Sequence, residues 1–283
     1  MYPSVLVGYE GTKEGERALR WAVEEARLRR SQLVVCHCWR WPYPIGHVDL
    51  DLEETVKRMG LHVLERGVHQ ARELAPSLRI QKRLADGPAY AALMHESYEA
   101  ELVVIGSHEQ GSPLIGSTVL QLPGRAHVPV VTVRPAEPVH GRVMVGVDGS
   151  AGSDAALAFA FEEAALRGWR LEAVHGCWEP GAVAGSDLAL FADHEELERS
   201  CGALLQRAVA AWRHKYPRVE VDTSLIMEGP RTALLRAAER ADLAVVGDRG
   251  TGTVRSLVLG ATSTALLQHS PCTVAVTPSV GRA

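Results

Sequence analysis

The chain is written twice, and that duplication constrains its fold more than any other feature. "VLVGYEGTKEGERALRWAVEEARLRRSQLVVCHCW" begins at Val5, and "VMVGVDGSAGSDAALAFAFEEAALRGWRLEAVHGCW" begins at Val143. Gly8 matches Gly146 (146 − 8 = 138), and His37 matches His175 at the same offset. Further along, "ADGPAYAALMHESYEAELVVIGS" is echoed by "MEGPRTALLRAAERADLAVVGDR", and "HVPVVTV" by "PCTVAVT". Self-similarity on this scale means two copies of one folding unit. Between the copies, "RPAEPVHGR" carries two prolines and no periodicity, so it reads as a linker. The expected domains are 1–136 and 137–283, a comfortable division of a 283-residue chain.

Each copy alternates short apolar runs with amphipathic stretches. In the second, "RVMVGV" reads as a strand, and "DGS" follows as turn and helix-cap chemistry. "DAALAFAFEEAALRG" is a helix ending at Gly168, and "LEAVHGCW" is the next strand. "EELERSCGALLQRAVAAWRHKY" has helical period and length, and "VEVDTSLIM" is again strand-like. Pro230 opens the helix "PRTALLRAAERA"; "LAVVG", a glycine-rich stretch, the helix "TSTALLQHS" and the strand "TVAVT" complete the unit. Strand–helix alternation at this spacing predicts a parallel sheet with helices on both faces. The expected fold class is α/β: two tandem five-stranded parallel α/β sandwich domains, doubly wound and Rossmann-like. Ligands of such sheets bind beyond the carboxyl ends of the strands, where the strand order reverses. That location gathers "GYEGT" or "GVDGS", the end of the second strand and the glycine stretch around one crevice in each half.

The stretch "VVGDRGTGTVRSLVLGATS" poses a choice between phosphate binding and a packed turn. Gly247 and Gly250 form a G-x-x-G, Gly260 follows after nine residues, and Thr262 and Ser263 open a helix. Glycine lets the backbone approach an anion closely. A helix N-terminus offers free N–H groups and partial positive charge. A dinucleotide fingerprint would instead follow the first strand of its unit, and a Walker A loop needs G-K-[ST], which the chain lacks.

These residues resemble the universal stress protein family. The resemblance rests on G-x-x-G, nine residues and a further glycine before Ser or Thr. It also rests on the first-strand end "VGVDGS", the mid-unit "EGP" and the closing "HSPCTVAV". It covers nearly the whole chain in two tandem copies. The family implies the five-stranded sandwich and a nucleotide role: some members bind ATP or AMP, others bind none. In binding members the aspartate after the first strand contacts the nucleoside, the second-strand end lies beside adenine, and the glycine loop holds the phosphates. Carried over, those positions are Asp148 with Gly149 and Ser150, Val174 and His175, and Gly247, Arg249, Gly250, Gly260, Thr262 and Ser263. The resemblance also implies pairing through the last strands, here an internal pseudo-dimer through 129–133 and 273–277, with a homodimer left open. The expected ligand is ATP, with or without magnesium, or AMP.

Departures separate the halves. Ala261 stands where a hydroxyl is expected after Gly260, and one lost hydrogen bond to a charged group is worth roughly 1.5–3 kcal/mol. Thr262 and Ser263 are expected to compensate in part, and Arg249 and Arg255 add positive charge. The first half has Glu10 for the aspartate and Glu109 for the second glycine. Its loop is shorter by three residues (260 − 247 = 13 against 116 − 106 = 10). A carboxylate about 4 Å from a phosphate costs on the order of 1 kcal/mol in water and about 4 at an effective dielectric of 20. Ser117 and Thr118 keep their hydroxyls, but the first site is expected to be degraded. The expected reading is phosphate at 247–263 and structure at 106–118.

Other features mark boundaries. A formal charge of −4 and a pI near 6.3 leave no basic stripe, so nucleic acid is not an expected partner. No apolar run reaches the roughly 18 residues that span a bilayer, and no signal segment opens the chain, so a cytoplasmic location and no membrane partner are expected. Five scattered cysteines argue for reduced thiols. Cys36 and Cys38 share a strand face and raise a metal or redox idea against the ordinary reading as buried small residues. His37 and His175 face the crevice, for a base contact or a backbone hydrogen bond. His47, Asp49 and Asp51 alternate, which suits an acidic helix approach better than a metal. Trp39, Trp41 and Trp178 lie near the second-strand ends, for adenine stacking or for packing. No Ser-His-Asp order or paired carboxylates stand out, so no catalytic constellation is expected. A non-nucleotide scaffold of the same fold and a weak ATPase are the alternatives.

Overall fold

The computed structural model describes residues 3–40, 50–107, 117–135, 139–177, 194–251 and 259–279. They fall in two compact units, Met1–Arg134 and Pro135–Ala283. The first contains β1 (Ser4–Gly8), α1 (Lys13–Arg29), β2 (Gln32–Trp39), α2 (Leu50–Leu74), β3 (Ile80–Asp86), α3 (Ala89–Glu96), β4 (Leu102–Gly106), α4 (Ser117–Gln121) and β5 (Val130–Val133). Its strand order is β3-β2-β1-β4-β5, with parallel neighbours throughout. The second contains β6 (Arg142–Gly146), α5 (Ala151–Arg167), β7 (Arg170–Gly176), α6 (His194–Lys215), β8 (Val221–Ile226), α7 (Pro230–Ala238), β9 (Leu243–Gly247), α8 (Ala261–His269) and β10 (Thr273–Thr277). Its order is β8-β7-β6-β9-β10, again parallel.

The expected architecture is therefore present in each unit. Central strands such as "LVVIG" and "LAVVG" are buried along nearly their whole length, as a sheet covered on both faces requires. In the first unit α1 packs with α2 and α3 with α4; in the second α5 packs with α6 and α7 with α8. β3 is partly exposed and carries Lys82 and Arg83, charges that suit the edge of a sheet. The strand order reverses between β1 and β4, and between β6 and β9. Each reversal opens a crevice at the strands' carboxyl ends.

Local chemistry sets the helix limits. Thr12 Oγ1 accepts from Gly15 N at 3.1 Å, and Ser150 Oγ accepts from Ser153 N at 3.1 Å, capping α1 and α5 alike. Both helices end on a left-handed residue at matched positions (168 − 138 = 30): Gly168 with φ 66° and Arg30 with φ 56°. Only the glycine adopts that conformation without steric cost. Near the same ends lie two buried ion pairs, Glu25 with Arg29 and Glu163 with Arg167, the second at 3.3 Å.

One expectation is corrected. Cys177 and Cys201 form a disulfide, whereas Cys36, Cys38 and Cys272 are outside any disulfide. The two bonded residues are 24 apart in sequence, one directly after β7 and the other within α6, yet their Cα atoms lie 6.4 Å apart. A scan of linear spacing has no view of that approach. No described helix is long and apolar enough to cross a membrane.

Candidate functional site

In the second unit the crevice starts at the end of β6. Gly149, at φ 78°, lets the chain turn tightly after Asp148, and Ser150 then caps α5. Asp148 does not point idly into solvent. Its Oδ1 accepts from Ser150 N at 3.0 Å and its Oδ2 from Thr251 N at 3.0 Å. The carboxylate thus ties the first-strand turn to the glycine loop, 103 residues away. Each oxygen has a second lone pair, so acceptor capacity remains for a ligand hydroxyl. Val174 is fully buried at the end of β7. His175 beside it holds Val147 O through Nδ1 at 2.6 Å, as His37 holds Tyr9 O at 2.8 Å in the first unit. Both histidines therefore make the backbone hydrogen bond.

Three of the four loop glycines differ in what surrounds them, and the fourth, Gly252, lies outside the described residues. A Cβ on Gly247 would lie 2.6 Å from the carbonyl carbon and oxygen of Gly152, where β9 crosses the first turn of α5. Gly106 meets Glu14 O at 2.6 Å in the same way, so this glycine is structural in both halves. A Cβ on Gly250 would lie 2.3 Å from Asp148 Oδ2; its absence lets the loop reach the carboxylate. Gly260 differs. Its φ of −66° and ψ of 153° suit any residue, and the nearest atoms of the described residues to a Cβ there would be Asp248 O at 3.4 Å, Arg249 Cα at 3.6 Å and Ser263 Oγ at 3.7 Å. Nothing among the described residues demands glycine at that point.

Gly260 is also the N-cap of α8, and no side chain of the described residues caps the helix. The first N–H groups of α8 are left for solvent or an anion. Ser263, buried, donates its Oγ–H to Gly247 O at 2.6 Å and so braces the loop from within. Thr262 is half-buried in the first turn. Arg249 has its Nε 3.6 Å from Asp248 Oδ2. Asp248 escaped the sequence reading. It is fully buried, accepts from Ser279 N at 3.0 Å and from Ser279 Oγ, and its carbonyl takes Gly260 N at 2.7 Å. A buried acid directly after an apolar strand was the available signal. Arg255 and Trp178 lie outside the described residues.

The first unit keeps an open crevice at the equivalent place. A cavity of about 450 Å³ is lined by Tyr9, Glu10, Thr12, His37, Cys38 and Thr118 among others, a volume suited to a small ligand. Glu10, at the aspartate position, is exposed. Glu109, Gly116, His47, Asp49 and Trp41 lie outside the described residues, and Asp51 is exposed in the first turn of α2. Trp39 packs on Gly60 of α2. Cys36 and Cys38 form a hydrogen-bonded thiol pair on this wall. That bond, with burial, pushes Cys36 up, and the same bond holds Cys38 below the ordinary thiol value.

Comparison with known proteins agrees with this geometry. The profile of the universal stress protein family matches residues 1–134 and again 140–278. A universal stress protein of Mycobacterium tuberculosis is 31% identical over 291 residues, covering 96% of this chain and 96% of the relative. The crystal structure of a universal stress protein from Archaeoglobus fulgidus has a TM-score of 0.72 and 21% identity, covering 98% of each chain. A universal stress protein solved in complex with cAMP aligns with 48% of this chain and 99% of its own, at 22% identity and a TM-score of 0.38; that nucleotide belongs to that protein. With residues 1–134 and 140–278 each matched by the same family, the chain belongs to the universal stress proteins, as two such domains in tandem.

Proposed function

We propose that the chain binds an adenine nucleotide, ATP or AMP, in the crevice of its second unit and acts as a non-catalytic sensor or regulator in a stress response. The observation that carries this reading is Gly260. Its backbone tolerates a side chain and the described residues around it leave room for one, yet the position is held by glycine directly before a helix that no described side chain caps. Space beside free N–H groups is what a phosphate requires. Asp148, already fixed by two backbone donors, keeps lone pairs for a ribose hydroxyl. Glu10 in the first unit is a methylene longer and exposed.

Calorimetric titration with ATP, ADP and AMP, with and without magnesium, tests the reading. A stoichiometry nearer one than two per chain is expected. Gly260→Val should remove most binding, Asp148→Ala should weaken it, and Glu10→Ala should change little. The cavity of about 450 Å³ in the first unit favours one rival, a ligand bound there instead. Under that rival Glu10→Ala hurts more than Asp148→Ala, and Gly260→Val leaves binding intact.

A further inference from the structure

His175, Cys177 and Cys201 place an imidazole nitrogen and two sulfurs within 4.8 Å of one another, all three residues half-buried. We propose that, with its thiols reduced, this cluster is a site for a soft divalent cation of the zinc class, which the Cys177–Cys201 disulfide excludes. The proposal goes beyond the nucleotide reading and does not depend on it. Two thiolates and an imidazole are the donor set that zinc prefers, and three protein ligands leave a fourth tetrahedral position for water.

Two observations support it independently. The first is the histidine. Val147 O can only accept, so the 2.6 Å contact makes Nδ1 the protonated nitrogen and leaves the lone pair on Nε2. A backbone carbonyl on the far nitrogen is the usual outer support of a metal-bound histidine. The second is the duplicated architecture. Cys177 corresponds to Trp39 (177 − 39 = 138). Leu33 pairs with Ile80 and Leu171 with Val221, so beyond the second helix the offset becomes 221 − 80 = 141. Cys201 therefore corresponds to Gly60. In the first unit those positions also converge on the histidine: a Cβ on Gly60 would lie 3.1 Å from Trp39 Cβ and 3.4 Å from His37 Nε2. The fold brings the same three positions together twice. In one copy they hold tryptophan packed on glycine; in the other both have become cysteine beside an oriented imidazole.

Formation of the site starts with cleavage of the S–S bond. A phosphine reductant and one water give two thiols and the phosphine oxide, and the cation then displaces the two thiol protons. The test titrates cobalt(II) alone into nucleotide-free, phosphine-reduced protein and reads the thiolate-to-cobalt charge-transfer absorption, with zinc as competitor. One equivalent is expected to bind and to be displaced by zinc, and oxidised protein should show no band. Cys177→Ser and Cys201→Gly should lose the band, while Cys36→Ser and Cys38→Ser should retain it. Alkylation mapped by mass spectrometry on unmutated protein supplies a readout without variants: zinc should protect Cys177 and Cys201 and leave Cys38 reactive. Absence of a band in reduced protein, persistence of the band in Cys201→Gly, or lack of zinc protection at Cys177 and Cys201 overturns the proposal. ATP calorimetry on metal-free protein reports on the nucleotide site separately.

Discussion

Gly247 and Gly260 occupy the same loop and carry opposite expectations when each is changed to alanine. At Gly247 the new methyl would sit 2.6 Å from the carbonyl carbon and oxygen of Gly152 and 2.8 Å from its Cα. These are backbone atoms at the start of α5 and cannot rotate away, so β9 and α5 must separate. Overpacking of a core contact costs typically 1–3 kcal/mol, and an immovable neighbour puts this case near about 3. For a domain of this size that lowers Tm by roughly 6–12 °C. At Gly260 the methyl meets nothing closer than 3.4 Å among the described residues, and φ of −66° is ordinary for alanine. Loss of glycine's advantage at an N-cap costs about 0.5–1 kcal/mol. The lower entropy of the unfolded alanine chain returns about 0.4–1 kcal/mol, so the net is close to zero. Thermal and urea unfolding followed by circular dichroism should therefore show a large loss for Gly247→Ala and a Tm within about 2 °C of the parent for Gly260→Ala. Comparable losses in both variants would refute the reasoning, because Gly260 would then serve the fold and its room would no longer point to a ligand.

Three further outcomes follow from the same geometry. Arg30→Gly relieves an exposed left-handed residue and should stabilise the first unit by about 0.5–1 kcal/mol in urea unfolding; destabilisation would show that the arginine side chain contributes. Glu163→Ala removes the buried carboxylate paired with Arg167, whose side chain is 5% exposed, and should cost about 3–5 kcal/mol, against less than 1 if the pair were solvated. Cys38, whose thiol is lowered chiefly by the Cys36 hydrogen bond, should hold more thiolate at neutral pH than Cys36. It should be alkylated faster, with a rate that levels off at lower pH than a free thiol, and Cys36→Ala should move that profile upward.

Strand and helix identities were already determined by period and punctuation, because hydrophobic spacing, Thr12 and Ser150 at caps and Gly168 at a helix end act within a few residues of themselves. Duplication did the rest: a feature present at both 8 and 146, or 37 and 175, marks a repeated unit, and it located both crevices from the sequence alone. What the tertiary structure decided concerns residues that meet across the sheet. Asp148 ties down Thr251, Ser263 braces Gly247, Asp248 holds Ser279, and Cys177 reaches Cys201. Three of the four glycines in "GDRGTGTVRSLVLG", alike in sequence, part company for the same reason. Gly247 is demanded by the backbone of α5, Gly250 by a carboxylate and Gly260 by neither. Such distinctions depend on distances between segments far apart in the chain, and a linear pattern holds no record of those distances.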